Sequence, residues 1–322
     1  MTTPWTWHGG GLEAAKRHFG GSDWIDLSTG INPHPWPHAA TMAFDWQHLP
    51  DAHDLARLEA AAAACLGVDP RHVCAVPGSE IGLRLVGDLI GGPARHVAPG
   101  YRTHGEMIAG SAATGWPEAL DSNGTLVLAN PNNPDGRTID ADAMRSLLGA
   151  RDGWLLVDEA FADSDPARSV ANLIDDAQSL VVFRSFGKFF GLAGVRLGFV
   201  VAPQAIIAAL RERLGAWPLS AAALAIGTAA YADTDWIAAT RRRLYEDASA
   251  IEAMLLRLGY RPTGACPLFR LIEIEDAHAL FDRLARRAIL TRPFADQPNW
   301  LRIGLPANTT ESARLEAALA DG

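Results

Sequence analysis

The residues best suited to chemistry in this chain lie between two apolar runs, Leu180–Phe183 and Leu197–Val201. Lys188 stands between them, where an ammonium is costly to keep charged because a buried site has a low dielectric. The neutral amine that burial favours is a nucleophile toward aldehydes. Ser185 and Arg196 flank the lysine, and a hydroxyl beside a guanidinium fork suits a phosphate. This combination predicts a site for pyridoxal phosphate.

One such motif could equally be a loop lysine among turn glycines, so the ends of the other predicted strands have to be considered. Polar residues follow three of them: Ser79 and Glu80 after Val73–Val76, Asn133 after Thr125–Ala129, and Asp158 after Trp154–Val157. The strands are continuous apolar runs that alternate with helical segments, which predicts a mostly parallel sheet buried on both faces. Ligands bind beyond the carboxyl ends of such strands.

With these residues in this order, the chain resembles the fold-type I pyridoxal phosphate enzymes, the aspartate aminotransferase superfamily, over nearly its whole length. The resemblance implies an α/β fold, with a large domain whose mostly parallel sheet lies between helices and a small α+β C-terminal domain. We expect an N-terminal arm over residues 1–40, the large domain over 41–215 and the small domain over 216–322. The family also implies a homodimer.

The resemblance assigns cofactor contacts to individual residues. Lys188 and Asp158 are the catalytic pair, because the lysine binds the aldehyde and the aspartate keeps the ring nitrogen protonated. The remaining contacts are to the ring, its phenolic oxygen and its phosphate, and the candidates are Tyr101 for the ring, Asn133 for the oxygen, and Ser79, Glu80, Ser185 and Arg196 for the phosphate. Taken alone, Ser79 could be a plain helix N-cap and Tyr101 a core residue.

Two positions depart from the superfamily pattern. Phe161 stands where a tyrosine often helps to hold the phenolic oxygen. Leu49 stands where a tyrosine often reaches the cofactor phosphate of the partner subunit, and a leucine cannot donate a hydrogen bond. These differences put cross-subunit phosphate binding in question without affecting the expectation of a dimer.

The N-terminal arm narrows the resemblance further. His8-Gly9-Gly10 followed by the segment from Asp26 to Pro33 (DLSTGINP) looks like the threonine-phosphate decarboxylase family of cobalamin biosynthesis. Near the C-terminus, ILTRP and WLRIG resemble paired arginine strands of the histidinol-phosphate aminotransferase branch. The family implies that the phosphate and carboxylate of the substrate are held by His8, Gly9, Asn32, Asn133, Arg292 and Arg302. Either arginine could instead be a surface residue on an edge strand.

The implied reaction is the decarboxylation of O-phospho-L-threonine to (R)-1-aminopropan-2-yl phosphate, the linker of the cobalamin nucleotide loop. Fixing both substrate anions could set the carboxylate perpendicular to the cofactor ring, so that carbon dioxide leaves. A transaminase would present the Cα–H bond instead, so the choice depends on the resemblance of the arm. Histidinol-phosphate aminotransferase, or a related class I/II aminotransferase, is the alternative. Phospho-serine is not distinguished from phospho-threonine, because one methyl gives only about 1–3 kcal/mol of discrimination.

Composition excludes several other classes of protein. The net charge of -9, with no basic stripe, argues against nucleic acid as a partner. No apolar segment reaches membrane length and no signal peptide is evident, so we expect a cytoplasmic protein without a membrane partner. Cys65, Cys74 and Cys266 are odd in number and far apart, and we expect buried thiols. The scattered histidines show no metal-ligand pattern, so no metal is expected.

The sequence argues against three unrelated functions. The run His8–Gly11 could suggest the oxyanion loop of an α/β-hydrolase, but no serine has glycine at both positions of a Gly-x-Ser-x-Gly elbow. A P-loop fails because Phe189 follows Lys188 and Val182 stands where the first glycine belongs. A pyridoxal-sensing transcription factor would need a DNA-binding domain, for which the arm is too proline-rich and too little basic.

Overall fold

The computed structural model describes Trp5 and residues 8–320. Its strands are β1 (Ile25–Asp26), β2 (Val73–Val76), β3 (Ala94–Val97), β4 (Ala112–Thr114), β5 (Thr125–Ala129), β6 (Leu155–Asp158), β7 (Leu180–Ser185), β8 (Gly198–Val201), β9 (Pro262–Thr263), β10 (Phe269–Glu273), β11 (Ile289–Leu290), β12 (Arg292–Pro293) and β13 (Trp300–Gly304). Its helices are α1 (Leu12–Phe19), α2 (Ala52–Leu66), α3 (Ser79–Ile90), α4 (Arg102–Glu106), α5 (Trp116–Asp121), α6 (Ala141–Gly149), α7 (Phe186–Phe189), α8 (Gln204–Leu214), α9 (Ala221–Ala232), α10 (Thr234–Arg257), α11 (Ala277–Ala285) and α12 (Thr309–Ala320).

The main sheet has seven strands in the order β2-β8-β7-β6-β5-β3-β4. Strand β8 runs antiparallel to both of its neighbours, and the other pairings are parallel. All four residues of β2, β6 and β8 are buried, as expected where both faces of a sheet are covered. The expectation of a mostly parallel sheet is therefore confirmed.

Helix α3 shows how tightly one face of this sheet is covered. Its residues Leu83 and Val86 pack into a core with Phe183 and Val200 of the sheet. A Cβ on Gly82 would lie 2.8 Å from Cγ2 of Val200, so the glycine allows the helix backbone to approach the strand. Each fully buried leucine of such a core stabilises the fold by about 1.5–3 kcal/mol.

The chain divides into two compact units. Their bounds differ from the domain boundaries expected after residues 40 and 215. The sheet unit comprises Pro35–Asn133 and Thr138–Thr240, and the arm unit comprises the described residues up to His34, Pro134–Arg137 and those from Arg241 onward. The sheet unit extends past residue 215 because α9 packs on α2. A Cβ on Gly227 would lie 2.6 Å from Leu58, so the two helices are in close contact.

The arm unit contains the antiparallel sheet β12-β13-β10-β9 and the parallel pair β1-β11. The N-terminal arm belongs to this unit because Ile25 and Leu27 donate backbone hydrogen bonds to Ala288 and Leu290. Both apolar side chains of that arm segment are buried. The N-terminal arm therefore contributes a short strand to this unit.

No helix within Trp5 and residues 8–320 is long and apolar enough to cross a membrane.

Candidate active site

Lys188 lies in α7, the single helical turn that follows β7. Its side chain is half-buried, and its Nζ lies 5.6 Å from the centre of the Phe161 ring. The turn is fixed by aromatic packing, because the rings of Phe186 and Phe190 stack with their centres 4.4 Å apart. Ser185, at the end of the same strand, is also half-buried. Phe161, one of the two departures from the family pattern, is therefore a neighbour of the lysine.

Asp158 ends β6 and is buried, with 6% of its surface exposed. One carboxylate oxygen accepts a hydrogen bond from the backbone N–H of Ala160, and the other lies 3.0 Å from Nε2 of His104. His104 is also buried, and its Nδ1 has no hydrogen-bond partner among the described residues. Sequence reasoning missed this histidine. The available signal was its place three residues after Tyr101 in a helix, which puts both on one face.

The start of α3 and Arg196 fit a phosphate. Gly78 is the N-cap, with φ of +87°, and no side chain caps the helix. Ser79 is thus the first helical residue and not a capping serine, and the first-turn N–H groups remain available to an anion. A Cβ on Gly78 would lie only 2.5 Å from Nη2 of Arg196, so the glycine leaves room for the guanidinium beside the helix start. Residue types and space both suit a bound phosphate.

This geometry predicts a specific weakness at Gly78. Gly78→Ala places a Cβ against Arg196 in a backbone conformation that costs roughly 1–3 kcal/mol for other residues. We expect the dissociation constant of pyridoxal phosphate to rise about tenfold, as loss of one charge-assisted hydrogen bond would cause. The control is Gly149→Ala, because nothing lies within 4 Å of a Cβ there. Equal cofactor affinity in the two variants, measured by titration of apoenzyme, would contradict the assignment.

The side chain of Glu80 has a structural role that the sequence did not predict. Its carboxylate accepts hydrogen bonds from the hydroxyls of Tyr101 (2.9 Å) and Thr103 and pairs with Arg84 (2.8 Å). The side chain therefore anchors the tyrosine, while its backbone N–H belongs to the helix start described above. Burial, followed by the negative charge of Glu80, raises the pKa of Tyr101 to about 12.

The Tyr101 phenol gives a prediction for alkaline pH. Its pKa is about 12 in the folded chain against 10 for an ordinary tyrosine, so the neutral phenol is favoured by folding. That contribution to the free energy of unfolding is complete below pH 10 and is lost as the pH rises from 10 to about 12. Tyr101→Phe should remove this part of the pH dependence, as measured by urea unfolding of both proteins across that range. The phenylalanine keeps the ring, and the lost hydrogen bond goes to Glu80 and not to the cofactor, so kcat should change less than about threefold.

The loop that carries Asn133 is held by its other asparagines. The side chain of Asn130 makes two hydrogen bonds of 2.9 Å to Ile139: its oxygen accepts from the backbone N–H, and its nitrogen donates to the backbone carbonyl. Asn132 is buried and donates to the carbonyl of Pro99 at 3.1 Å. Asn133 is half-buried at the end of this loop. The repeated asparagines are explained by this structural use, and Asn133 stays the candidate for the phenolic oxygen.

A buried ion cluster lies next to Asp158 and Ser185 in the chain. Arg184 pairs with Glu159 at 2.6 Å and with Asp163, and all three side chains are almost fully buried. Ser169 adds a hydroxyl that donates to Glu159 at 2.6 Å. This cluster joins the ends of β6 and β7, the two strands that present Asp158 and Lys188. Sequence reasoning missed it, although an arginine inside an apolar strand was a visible signal.

The two candidate anion receptors, Arg292 and Arg302, are paired across β12 and β13. Both are buried, which excludes the alternative of surface arginines. Nη2 of Arg302 donates to the carbonyl of Ser28 at 2.9 Å, and Nη1 of Arg292 donates to the carbonyl of Trp5. Burial lowers the pKa of Arg302 to about 10, so its guanidinium remains charged at neutral pH.

The arm residues proposed for substrate differ in burial. His8 and Gly9 are exposed, while Asn32 is 1% exposed and accepts a hydrogen bond from the N–H of His34 at 2.9 Å. A Cβ on Gly9 would lie 2.6 Å from the carbonyl oxygen of Ser28, so only glycine fits this approach.

The cofactor residues predicted from the sequence all lie in the sheet unit. Of the substrate residues, Asn133 is in the sheet unit and the other five are in the arm unit.

Within Trp5 and residues 8–320, no group of three or more His, Cys, Asp or Glu side chains could hold a metal ion. Cys74 and Cys266 are buried thiols, and burial raises the pKa of each to about 12. Such thiols are poor nucleophiles because the reactive thiolate is suppressed.

The fold and the lysine site define a fold-type I pyridoxal phosphate enzyme. Residues 111–320 match the family model for class I and II aminotransferases, and the chain belongs to that family. Among solved structures, histidinol-phosphate aminotransferase from Sinorhizobium meliloti, in complex with pyridoxal-5′-phosphate, has a TM-score of 0.85 and 22% identity, with 97% of this chain and 94% of that one covered. This likeness confirms the predicted fold.

Curated relatives lie closer in sequence. The threonine-phosphate decarboxylase of Pseudomonas aeruginosa is 39% identical, with 97% of this chain and 96% of that protein covered. The threonine-phosphate decarboxylase of a Sinorhizobium species is 40% identical, with 97% of each covered. A histidinol-phosphate aminotransferase of Citrifermentans bemidjiense is 30% identical, with 85% of this chain and 84% of that protein covered.

Proposed function

We propose that this enzyme is a pyridoxal phosphate-dependent carboxy-lyase that decarboxylates O-phospho-L-threonine to (R)-1-aminopropan-2-yl phosphate, which supplies the cobalamin nucleotide loop. The observation that carries the proposal is the identity of 39% and 40% to curated threonine-phosphate decarboxylases over nearly the whole chain. The relative from the histidinol-phosphate aminotransferase group, the alternative, is 30% identical.

Pyridoxal phosphate, when bound, would supply an electron sink for the bond that breaks. The chain's own residues prepare that chemistry. Lys188 supplies the amine that binds the aldehyde, and its Nζ later returns a proton to the substrate Cα. Asp158 keeps a carboxylate at the ring nitrogen, where His104 orients it. The α3 start, Ser185 and Arg196 hold the phosphate, and Asn133 donates to the phenolic oxygen.

The substrate contributes two anions, a phosphate and a carboxylate. Arg292 and Arg302 are buried cations suited to such groups, and His8, Gly9, Asn32 and Asn133 complete the proposed set. Holding both anions at fixed points orients the bond from Cα to the carboxylate for cleavage. In an aminotransferase, binding of the substrate anions would orient the Cα–H bond for cleavage instead.

The test compares products in the absence of any 2-oxo acid. Cofactor-loaded enzyme is supplied with O-phospho-L-threonine, and carbon dioxide and the amine product are measured over many turnovers. The proposal expects one carbon dioxide per phosphorylated amine formed, with the cofactor spectrum restored when substrate is exhausted. A single turnover that stops with the cofactor aminated and no carbon dioxide would establish a transaminase. Histidinol phosphate with 2-oxoglutarate is then the next substrate pair.

We also propose that the enzyme acts as a homodimer in the cytoplasm. Trp46, Leu49 and Trp217 are exposed by 74%, 67% and 59%, which is unusual for large apolar side chains. A surface groove lies in the same region, between Pro50–Leu55 and Ala216–Leu224. A second copy of the chain covering these residues would remove them from water. Sedimentation velocity at several concentrations measures the assembly.

A further inference from the structure

Ser28 lies at the centre of the arm unit's candidate anion site, although the proposed function gives it no role. It is 2% exposed, and it lies two residues after the end of β1. Its hydroxyl donates to Oδ1 of Asp26 at 2.6 Å, and its backbone N–H donates to the same oxygen at 2.9 Å. One carboxylate oxygen thus fixes both the serine backbone and the direction of its hydroxyl hydrogen.

The hydroxyl of Ser28 then has a lone pair for a second bond. It accepts the backbone N–H of Gly10 at 2.8 Å. Gly10 has φ of +86°, a conformation that glycine adopts readily and other residues rarely do. The turn through Gly9 and Gly10 is therefore held against the serine by this bond and by the close approach of Gly9 to the serine carbonyl.

The carbonyl of Ser28 makes the third contact. It accepts from Nη2 of Arg302 at 2.9 Å, while the guanidinium lies 4.8 Å from the Phe269 ring. A planar guanidinium bound at one nitrogen and stacked on a ring has its direction fixed, because rotation would break either contact. The backbone on either side of this contact is also paired, since the N–H of Gly304 donates a hydrogen bond to the carbonyl of Leu27 at 2.8 Å.

We infer that Ser28 is a positioning residue, which Asp26 orients and which sets the glycine turn and Arg302 to receive one oxyanion of the substrate. The inference rests on the proposed function for the identity of that oxyanion, either the phosphate or the carboxylate of O-phospho-L-threonine. Ser28 itself does not touch the substrate. It acts by making an exposed turn and a buried cation rigid, which lowers the entropy lost on binding.

The test uses cofactor-loaded full-length enzyme, so that the cofactor phosphate site is already filled. Ser28→Ala removes the hydroxyl, and Asp26→Ala removes the carboxylate that orients it. Asp26→Asn keeps the Oδ1 that accepts the hydrogen bond. Binding of inorganic phosphate and of L-threonine is measured directly, and KM and kcat are measured with O-phospho-L-threonine. The two alanine variants should raise KM about tenfold, with kcat within about threefold, as expected for a lost hydrogen bond to a charged group. Asp26→Asn should restore KM to within about threefold of the unaltered enzyme.

The binding probes identify the anion and separate this inference from the proposed function. Weaker phosphate binding in the alanine variants, with L-threonine unchanged, assigns the site to the phosphate, and the reverse assigns it to the carboxylate. Unchanged binding of both probes would overturn the inference, as would failure of the asparagine variant to restore KM. Failure of the unaltered enzyme to turn over O-phospho-L-threonine would reject the proposed function, while the direct binding comparison would still decide the role of Ser28.

Discussion

Replacing Lys188 by alanine is expected to lower kcat by at least about 10³-fold, because we propose that the same amine binds the cofactor and moves the proton at Cα. Lys188 is half-buried in α7, the turn that follows β7, and it lies next to Phe161. The chain contains only two lysines, Lys16 and Lys188. The measurements are kcat and, after borohydride reduction, the mass of each lysine peptide.

Lys16 provides the matched control. It is 40% exposed and pairs with Glu13 at 2.7 Å on the surface of α1. Lys16→Ala should leave kcat and the reduced cofactor adduct unchanged, because exposed pairs of this kind contribute only about 0–1 kcal/mol to stability. An adduct on the Lys16 peptide, or full activity in Lys188→Ala, would refute the assignment of the nucleophile.

Asp158→Asn is expected to have the second largest effect, with kcat reduced about 10²- to 10³-fold. The asparagine is nearly isosteric but uncharged, so the cofactor's ring nitrogen would lose the carboxylate that we propose keeps it protonated. Loss of one partner of a buried charge pair costs about 3–5 kcal/mol, which matches that reduction. His104, 3.0 Å away, also loses its charged neighbour. The rate of carbon dioxide release and the pH dependence of the bound cofactor's spectrum are the two measurements.

The control for this variant is Asp142→Asn, at a carboxylate on α6 that is 90% exposed. It makes the same chemical change far from any buried charge and should leave kcat and the spectrum as they are. His104→Phe gives a further comparison, since it removes the orienting contact while Asp158 stays. An intermediate loss of kcat is expected there. Asp158→Asn with an unaltered kcat would mean that the ring nitrogen is not bound by this residue.

The main sheet and its strand ends were predictable because strand burial on both faces leaves a continuous apolar run. β2 and β5 lie at the expected residues, Asp158 and Ser185 end their strands, and Lys188 lies in the helical turn after β7. A large and a small domain were expected, but the bounds of the two compact units differ from the expected ones, because these bounds depend on packing between distant segments. Gly227 against Leu58 and Leu27 beside Leu290 are contacts that no local pattern shows.

The side-chain partners of the site were the least predictable part. The bond between Asp158 and His104 joins residues 54 positions apart, and neither side chain signals the other. Glu80 was expected at the cofactor through its backbone N–H, and the hydrogen bonds of its carboxylate to Tyr101 and Thr103 were not predicted. Residue type and spacing indicate which groups face a ligand, whereas the hydrogen bonds that orient them depend on three-dimensional neighbours. Ser28 is a further example, since its motif was visible but its three contacts were not.

The central claim is that the bond from Cα to the carboxylate breaks while the Cα–H bond stays intact. The most direct measurement supplies O-phospho-L-threonine deuterated at Cα to cofactor-loaded enzyme in ordinary water and determines the mass of the amine product. The account predicts 1-aminopropan-2-yl phosphate that keeps the deuterium beside one proton from solvent, with carbon dioxide in equal amount. Loss of the deuterium to solvent, with a 2-oxo acid as product, would contradict it.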